Sequence, residues 1–412
     1  MPHTAGNRDF VPLLLGGDIN VYSMARAFNE AYDMVCAGFG MAKSGVCLDS
    51  RILNYRSCDN ADQPSVLASL LTNFATSHSD RKVLLVPVGD NYICSLAAIR
   101  DRLPSNIVDF GITTATFDML TNKASFYDLC QRHGLPCPST HVLAGPCGIG
   151  PELERLTIPL PWVIKPATGV DYWRHPFEGQ EKVYRAHTRI QAQELAERIY
   201  AAGYPGPLVI QGYICGDDSN MWVLTTYSSA EGQLRLSCMG QVLLEEHTPK
   251  GLGNHAVIIS RQERETELRM RQFLEDIGYR GPANLDFKWD KSTGRLLVLE
   301  CNVRQGRSNY YVTASGVNLA RLIAEDMIYG RRSAYQSVDR PTLWLVVPRQ
   351  VAFDHTPAEP YHAQMRALIA HGRVVNPLLN PADNGLKHRL RVQRVMATQP
   401  DKFQRYYQRE QM

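Results

Sequence analysis

Residues 284–307, NLDFKWDKSTGRLLVLECNVRQGR, constrain this chain more than any other stretch. Leu285, Phe287 and Trp289 alternate with Asp286, Lys288 and Asp290, the period-two pattern of a strand with one apolar and one polar face. Lys291-Ser292-Thr293-Gly294 is turn chemistry, and Leu296-Leu297-Val298-Leu299 reads as a returning strand that ends at Glu300. Glu300 and Asn302 are two residues apart and face the same way, while Cys301 faces away. Such a hairpin presents Asp286, Glu300 and Asn302 as hard oxygen ligands at spacings that can converge. Mg²⁺ takes one or two carboxylates together with phosphate oxygens, so the set suits magnesium bound to a nucleoside triphosphate such as ATP, with Mn²⁺ able to substitute. A solvated acidic hairpin is the competing explanation. Arg304 and Arg307 weigh against it, because two guanidiniums so close to the ligands suit a site that also holds phosphate and carboxylate groups.

The rest of the chain divides into three blocks and a tail. With 412 residues, 44% hydrophobic and 21% charged, the composition fits a soluble protein of two or three domains. The run Phe10 to Leu15 is too short for a signal segment, and no stretch approaches a membrane span, so a cytoplasmic protein is expected. Ten cysteines without a CxxC pair suggest scattered thiols rather than a disulfide frame or a zinc site. Residues 1–120 are expected to form an α/β domain that binds substrate. Val11–Leu15 reads as a buried strand, Gly16-Gly17-Asp18 as a turn and Tyr22–Tyr32 as a helix. A further strand, Val83–Val88, again ends in a glycine and an acid, Gly89-Asp90. Open α/β sheets bind ligands at such strand ends, so Gly17, Asp18, Asp90 and the helical Arg26 are substrate-binding candidates. The third glycine of a nicotinamide-cofactor fingerprint is missing, which disfavours an oxidoreductase.

Residues 121–225 form the second block. Thr121 to Tyr127 reads as a helix start and includes Lys123, and the apolar strand Trp162–Pro166 carries Lys165 near its end. The following loop, to about Gly179, is long enough to fold over a triphosphate. A strand Leu208–Gln211 then runs into Gly212-Tyr213-Ile214-Cys215-Gly216-Asp217-Asp218. There the exposed backbone can pair with an adenine edge, and Asp218 is the choice to hold the ribose hydroxyls. Residues 226–340 carry the hairpin. Residues 341–412 form a basic extension, in which Lys387, Arg389, Arg391, Arg394, Lys402, Arg405 and Arg409 face only Asp401 and Glu410 after Gly385. A basic helix there could touch an anionic membrane surface or a pyrophosphate-bearing substrate. No nucleic-acid partner is expected, and nothing indicates an oligomeric state.

Taken in order, these signals resemble the ATP-grasp superfamily, in which nucleotide lies between two α+β lobes. LLGGDINVYSMARAFNEAY, GDNY, NKASFY, GDDSNM, NVRQGRSNYYVT and GVNLARLIAEDMIYG look more closely like the D-aspartate ligases of bacterial cell-wall synthesis, over roughly residues 10 to 335. The resemblance implies an ATP-grasp fold with a Rossmann-like α/β domain before it. It also implies that Lys123 and Lys165 contact ATP phosphates, that Gly212 and Ile214 give backbone bonds to adenine, that Asp218 holds the ribose, and that Asp286, Glu300 and Asn302 hold Mg²⁺. Gln211 stands where the superfamily often has a hinge glutamate. Asn284 replaces an arginine that D-alanine–D-alanine ligases place two residues before the first metal aspartate, which leaves the acyl phosphate to Arg304 or Arg307.

The expected chemistry is activation of an amino-acid carboxylate by the γ-phosphoryl group of ATP, followed by attack of an amine, with His247 and His175 as weak general-base candidates. The substrates implied by the resemblance are D-aspartate, through its side-chain carboxyl, and the lysine ε-amine of a peptidoglycan precursor. A ligase with another amino acid or acceptor, or a non-catalytic nucleotide sensor, are the alternatives.

Overall fold

In the computed structural model, which describes residues 9–249 and 251–407, contacts divide the chain into two compact units. One is built within Met1–Thr114, Asp217–Asn284 and Asn302–Gln411, the other within Ala115–Gly216 and Leu285–Cys301.

The first unit starts with apolar strands alternating with helices, the pattern that makes a parallel sheet covered on its faces. Strands β1 (Phe10–Leu15), β2 (Cys36–Gly40), β3 (Leu53–Ser57), β4 (Lys82–Pro87) and β5 (Ile107–Val108) pair in the order β3-β2-β1-β4-β5. Every adjacent pair is parallel. Successive connections run from β1 towards β3 and then cross back to β4. The order therefore reverses between β1 and β4, and their carboxyl ends flank the crevice where such sheets take ligands. Gly16 makes the turn out of β1 at φ +145°, and a Cβ there would lie 2.3 Å from Val88 Cγ2, so only glycine fits. Helix α1 (Ile19–Tyr32) begins three residues earlier than expected, because the Asp18 carboxylate accepts the Asn20 N–H at 2.9 Å and caps it. This helix is buried from Ile19 to Phe28, its polar Asn20, Ser23 and Arg26 included. The helix Leu319–Met327 covers part of it, with Asn318 Nδ2 donating to Ala27 O at 2.9 Å.

The same unit holds antiparallel strands Met221–Ser228, Leu234–Glu245 and His255–Ser260, with Leu343–Leu345 beside the last. Residues 341–412 are no separate extension at their start, since Leu343–Leu345 pairs with His255–Ser260, and the basic stretch after Gly385 folds as the helices Leu386–Ala397 and Gln399–Tyr406. Residues 408–412, with Arg409 and Glu410, lie outside the described residues.

The second unit is built on a four-stranded antiparallel sheet ordered Thr140–Leu143, Leu208–Gly212, Trp162–Pro166, Tyr184–Ala186. One face packs under the helices Ile149–Glu154 and Arg189–Ala201 around Trp162, Ile164, Leu208 and Ile210, all nearly inaccessible. Alternation sends Lys165 to the opposite face, and the pairings Lys165 with Val209 and Val163 with Gln211 put Gln211 on that face too. The helix Lys123–Arg132 starts where Asn122 Oδ1 accepts the N–H groups of Ala124 and Ser125. The metal-candidate strands are longer than the apolar runs alone suggest, Gly281–Asp290 and Arg295–Asn302, and the chain returns to the first unit at Asn302.

Candidate active site

Within the second unit, lysines and carboxylates gather on the sheet face that carries Lys165. The Lys165 pKa is lowered from 10.5 to about 8, first by burial and then by Lys123, Lys182 and Lys288, while Glu300 opposes them. At Glu300 burial would favour the neutral acid. Lys123, Lys182 and Lys165 outweigh it, and with a hydrogen bond involving Asp286 they hold the carboxyl well below the usual carboxylate range. These two shifts identify one cluster: four lysines (123, 165, 182, 288) against two carboxylates (286, 300), a formal 4 − 2 = +2. Such a local excess of positive charge suits a polyanion.

The cluster is braced by its surroundings. The Lys123 N–H donates to Ala167 O at 3.1 Å, fixing the start of its helix against the end of the Lys165 strand. Tyr127, one turn further on, donates its hydroxyl to Leu299 O beside Glu300 and hydrogen-bonds Gln211. Gln211 is buried, and its Nε2 donates to Thr140 Oγ1 at 2.8 Å. The hinge that follows is partly engaged: Gly212 N–H reaches Ser139 O at 3.3 Å and Tyr213 N–H reaches Pro161 O at 3.0 Å. Both N–H groups are thus engaged, and Ile214 follows them in the irregular segment after the strand. Arg185 lies over the Tyr213 ring at 3.7 Å, and Lys288 Nζ lies 5.3 Å from its centroid.

The first unit carries the remaining candidates in separate groups. Asp90 opens the helix after β4, and Arg304 meets it with Nε 3.1 Å from Oδ1 and Nη2 3.4 Å from Oδ2. Arg304 Nη2 is also 3.3 Å from Asn302 Oδ1, so one guanidinium ties an acid at the end of a sheet strand to a metal-candidate amide. Asp18 and Gly17 follow β1, the neighbour of β4, and a Cβ on Gly17 would lie 2.5 Å from the Tyr55 hydroxyl. Arg307 pairs with Glu246 at 2.9 Å and donates to His255 O at 3.4 Å. Asp218 Oδ2 accepts the Glu245 N–H at 2.8 Å and lies 3.0 Å from His247 Nε2, which orients that ring. His175, in the second unit, has its Nδ1 2.9 Å from Asp171 O.

Arg26 departs from the sequence expectation. Its Nε binds Glu30 at 2.9 Å, its Nη1 donates to the carbonyls of Asn376 and Pro377 at 3.2 and 3.0 Å, and its guanidinium covers Tyr310 at 4.6 Å. A guanidinium so engaged pins a late segment to α1, and we leave it out of the substrate site. Sequence reasoning had overlooked Lys182 and Lys288. Lys288 was within reach of it, since it lies two residues after Asp286 and strand alternation puts the two on one face. Lys182 sits in an irregular polar segment that gives no such signal.

Among the described residues, no group of three or more His, Cys, Asp and Glu side chains gathers as a metal site. Within the second unit Asp286 and Glu300, with Glu300 kept anionic, nevertheless suit a hard cation that takes its other oxygens from phosphate.

No protein-family model matches the chain. Its structure resembles the biotin carboxylase domain of Hydrogenobacter thermophilus 2-oxoglutarate carboxylase, solved with MgADP, at a TM-score of 0.60 and 14% identity, covering 82% of this chain and 73% of that one. It also resembles N5-carboxyaminoimidazole synthetase from Staphylococcus aureus complexed with ADP (TM-score 0.59, 12% identity, 88% and 86% covered). An L-amino acid ligase from Bacillus licheniformis matches at a TM-score of 0.52 and 15% identity, with 78% and 75% covered. The fold is therefore ATP-grasp, preceded by a Rossmann-like domain. Over 416 aligned residues, 99% of each chain, it is 32% identical to a D-aspartate ligase of Enterococcus faecium (strain Aus0004). The chain belongs to the D-aspartate ligase family and is an ATP-dependent carboxylate–amine ligase.

Proposed function

We propose that this ligase joins the side-chain carboxyl of D-aspartate to the lysine ε-amine of a peptidoglycan precursor. In the first step a carboxylate oxygen attacks the γ-phosphorus of ATP and ADP departs, leaving an acyl phosphate. The amine then attacks the acyl carbon, the C–O bond breaks, and phosphate leaves with the former carboxylate oxygen. Two protons leave the lysine ammonium, one before attack and one from the tetrahedral adduct, and they pass to the departing phosphate and to solvent. Lys123 and Lys165, joined by Lys182 and Lys288, are assigned to the phosphates, Ile214 to the base and Asp218 to the ribose. Asp286, Glu300 and Asn302 would hold Mg²⁺, which when bound neutralises charge on the transferring group.

The observation that carries the substrate reading is the Arg304–Asp90 pair at the carboxyl end of β4, beside the Gly17-Asp18 turn after β1. A cation and two acids at that strand end complement an amino acid, which presents an ammonium and carboxylates. Aspartate adds a second carboxylate for Arg304. The D configuration is supported by the 32% identity to the enterococcal enzyme.

ADP release from MgATP with a panel of D- and L-amino acids, with and without a lysine-bearing stem peptide, tests this reading. D-aspartate with peptide should give the fastest release and L-aspartate far less. Asp90→Asn, which removes the charge facing the ammonium, should raise the KM for D-aspartate by about tenfold, the scale of one charge-assisted hydrogen bond, and leave the KM for ATP within about twofold. Preference for a neutral D-amino acid, or an Asp90→Asn effect confined to ATP, would overturn the substrate assignment.

A further inference from the structure

We propose that the outward face of the helix Leu386–Ala397 docks the protein on an anionic lipid bilayer, with the helix lying in the plane of the surface. Its inward side is fixed. His388 and Val392 are buried, His388 stacks on Tyr22 with ring centroids 5.0 Å apart, and Arg391 pairs with Asp49 at 2.7 Å. That anchoring turns Leu386 and Leu390 to solvent at 72% and 56% exposure, and Leu386 is the most exposed large hydrophobic side chain among the described residues. Leu379, just before the helix, is 59% exposed and lines a cavity of about 370 Å³ together with Leu378, Pro381, Arg389 and Val392.

The angular arrangement decides what such a face fits. At 3.6 residues per turn, Leu386, Leu390 and Ala397 fall within about 40° of one another on the exposed side. Lys387 and Arg394 flank this strip on one margin and Arg389 with Gln393 on the other, all exposed. The helix contains no acid, and among the described residues Lys387, Arg389 and Arg394 make no ion pair. A leucine strip between cationic margins matches a bilayer, where leucines enter below the head groups and long basic side chains reach back to them. A polynucleotide would need cations along the centre of the face, where the leucines are. A second copy of the face would bring like charges together. Among the described residues no helix is long and apolar enough to cross a membrane, so this is a surface contact.

The full-length protein should sediment with phosphatidylcholine vesicles that contain about 30% phosphatidylglycerol and not with phosphatidylcholine alone, and high salt should release it. Each basic residue near such a surface contributes roughly a fivefold factor to partitioning, so Lys387→Gln/Arg389→Gln/Arg394→Gln should lower it by well over tenfold. Leu386→Gln/Leu390→Gln should lower it by at least about tenfold. Both variants should keep the wild-type Tm, because the altered side chains are exposed. Several results would overturn the proposal: no vesicle binding, equal binding to neutral vesicles, wild-type partitioning by both variants, or oligonucleotide binding or self-association in place of vesicle binding.

Discussion

Glu300→Gln is expected to lower turnover by about a thousandfold or more, the scale of the several kcal/mol that a correctly held metal contributes to phosphoryl transfer, and to leave the fold intact. The argument rests on charge. Glu300 is held as a carboxylate by Lys123, Lys182 and Lys165 against the opposing pull of burial, so it is the anion around which the cluster is organised. The amide is isosteric and neutral. It would leave four lysines against Asp286 alone and weaken the hold on Mg²⁺. The same shift has a consequence for stability. The folded pKa of Glu300 lies below the ordinary value of 4.5, so its contribution is fully present above that value and is lost as pH falls below it through the folded value. Steady-state ADP release as a function of magnesium concentration, together with Tm, checks both. Near-normal turnover with unchanged magnesium dependence would remove Glu300 from the site.

Lys165→Ala should weaken ATP binding by at least about tenfold, since a charge-assisted contact to phosphate is generally worth roughly 1.5 to 3 kcal/mol. Lys165 also predicts a pH dependence that can be separated from other groups. Its pKa falls from 10.5 to about 8, mainly through burial and then through Lys123. Between these values the unfolded chain keeps a proton that the folded one has released, so this residue makes the unliganded protein more stable as pH rises through the window. ATP affinity should move the other way, because the phosphates require the ammonium. Titration calorimetry of ATP against pH should therefore show weakening above about pH 8 in the wild type and a flatter profile in Lys165→Ala. Equal affinity and equal profiles would return Lys165 to a structural role.

Much of this architecture could be read from the sequence wherever the signal is local. The 284–307 hairpin, the strand that carries Lys165 and the hinge strand all follow from period-two alternation and turn residues, and the structure extends them by only a few residues. The first helix shows where local reading runs short. Apolar periodicity places its start at Tyr22, and capping by Asp18 moves it to Ile19. The long-range pairings were not legible. Nothing near Arg26 signals that carbonyls from residues 376–379 will occupy its guanidinium, and nothing near Asp218 signals that His247 will be 3.0 Å away. Arg304 and Asp90 were separately visible as candidates, yet their bond spans 214 positions and depends on the folded first unit.

The path of one oxygen atom tests the ligase chemistry most directly. D-aspartate carrying ¹⁸O in its side-chain carboxyl should be turned over with MgATP and a lysine-bearing stem peptide, and the released phosphate analysed by mass spectrometry. If the carboxylate attacks the γ-phosphoryl group and the amine then displaces phosphate, each phosphate should carry one ¹⁸O, formed in equal amount with ADP and the new amide. Unlabelled phosphate, or AMP and pyrophosphate in place of ADP and phosphate, would contradict the acyl-phosphate route.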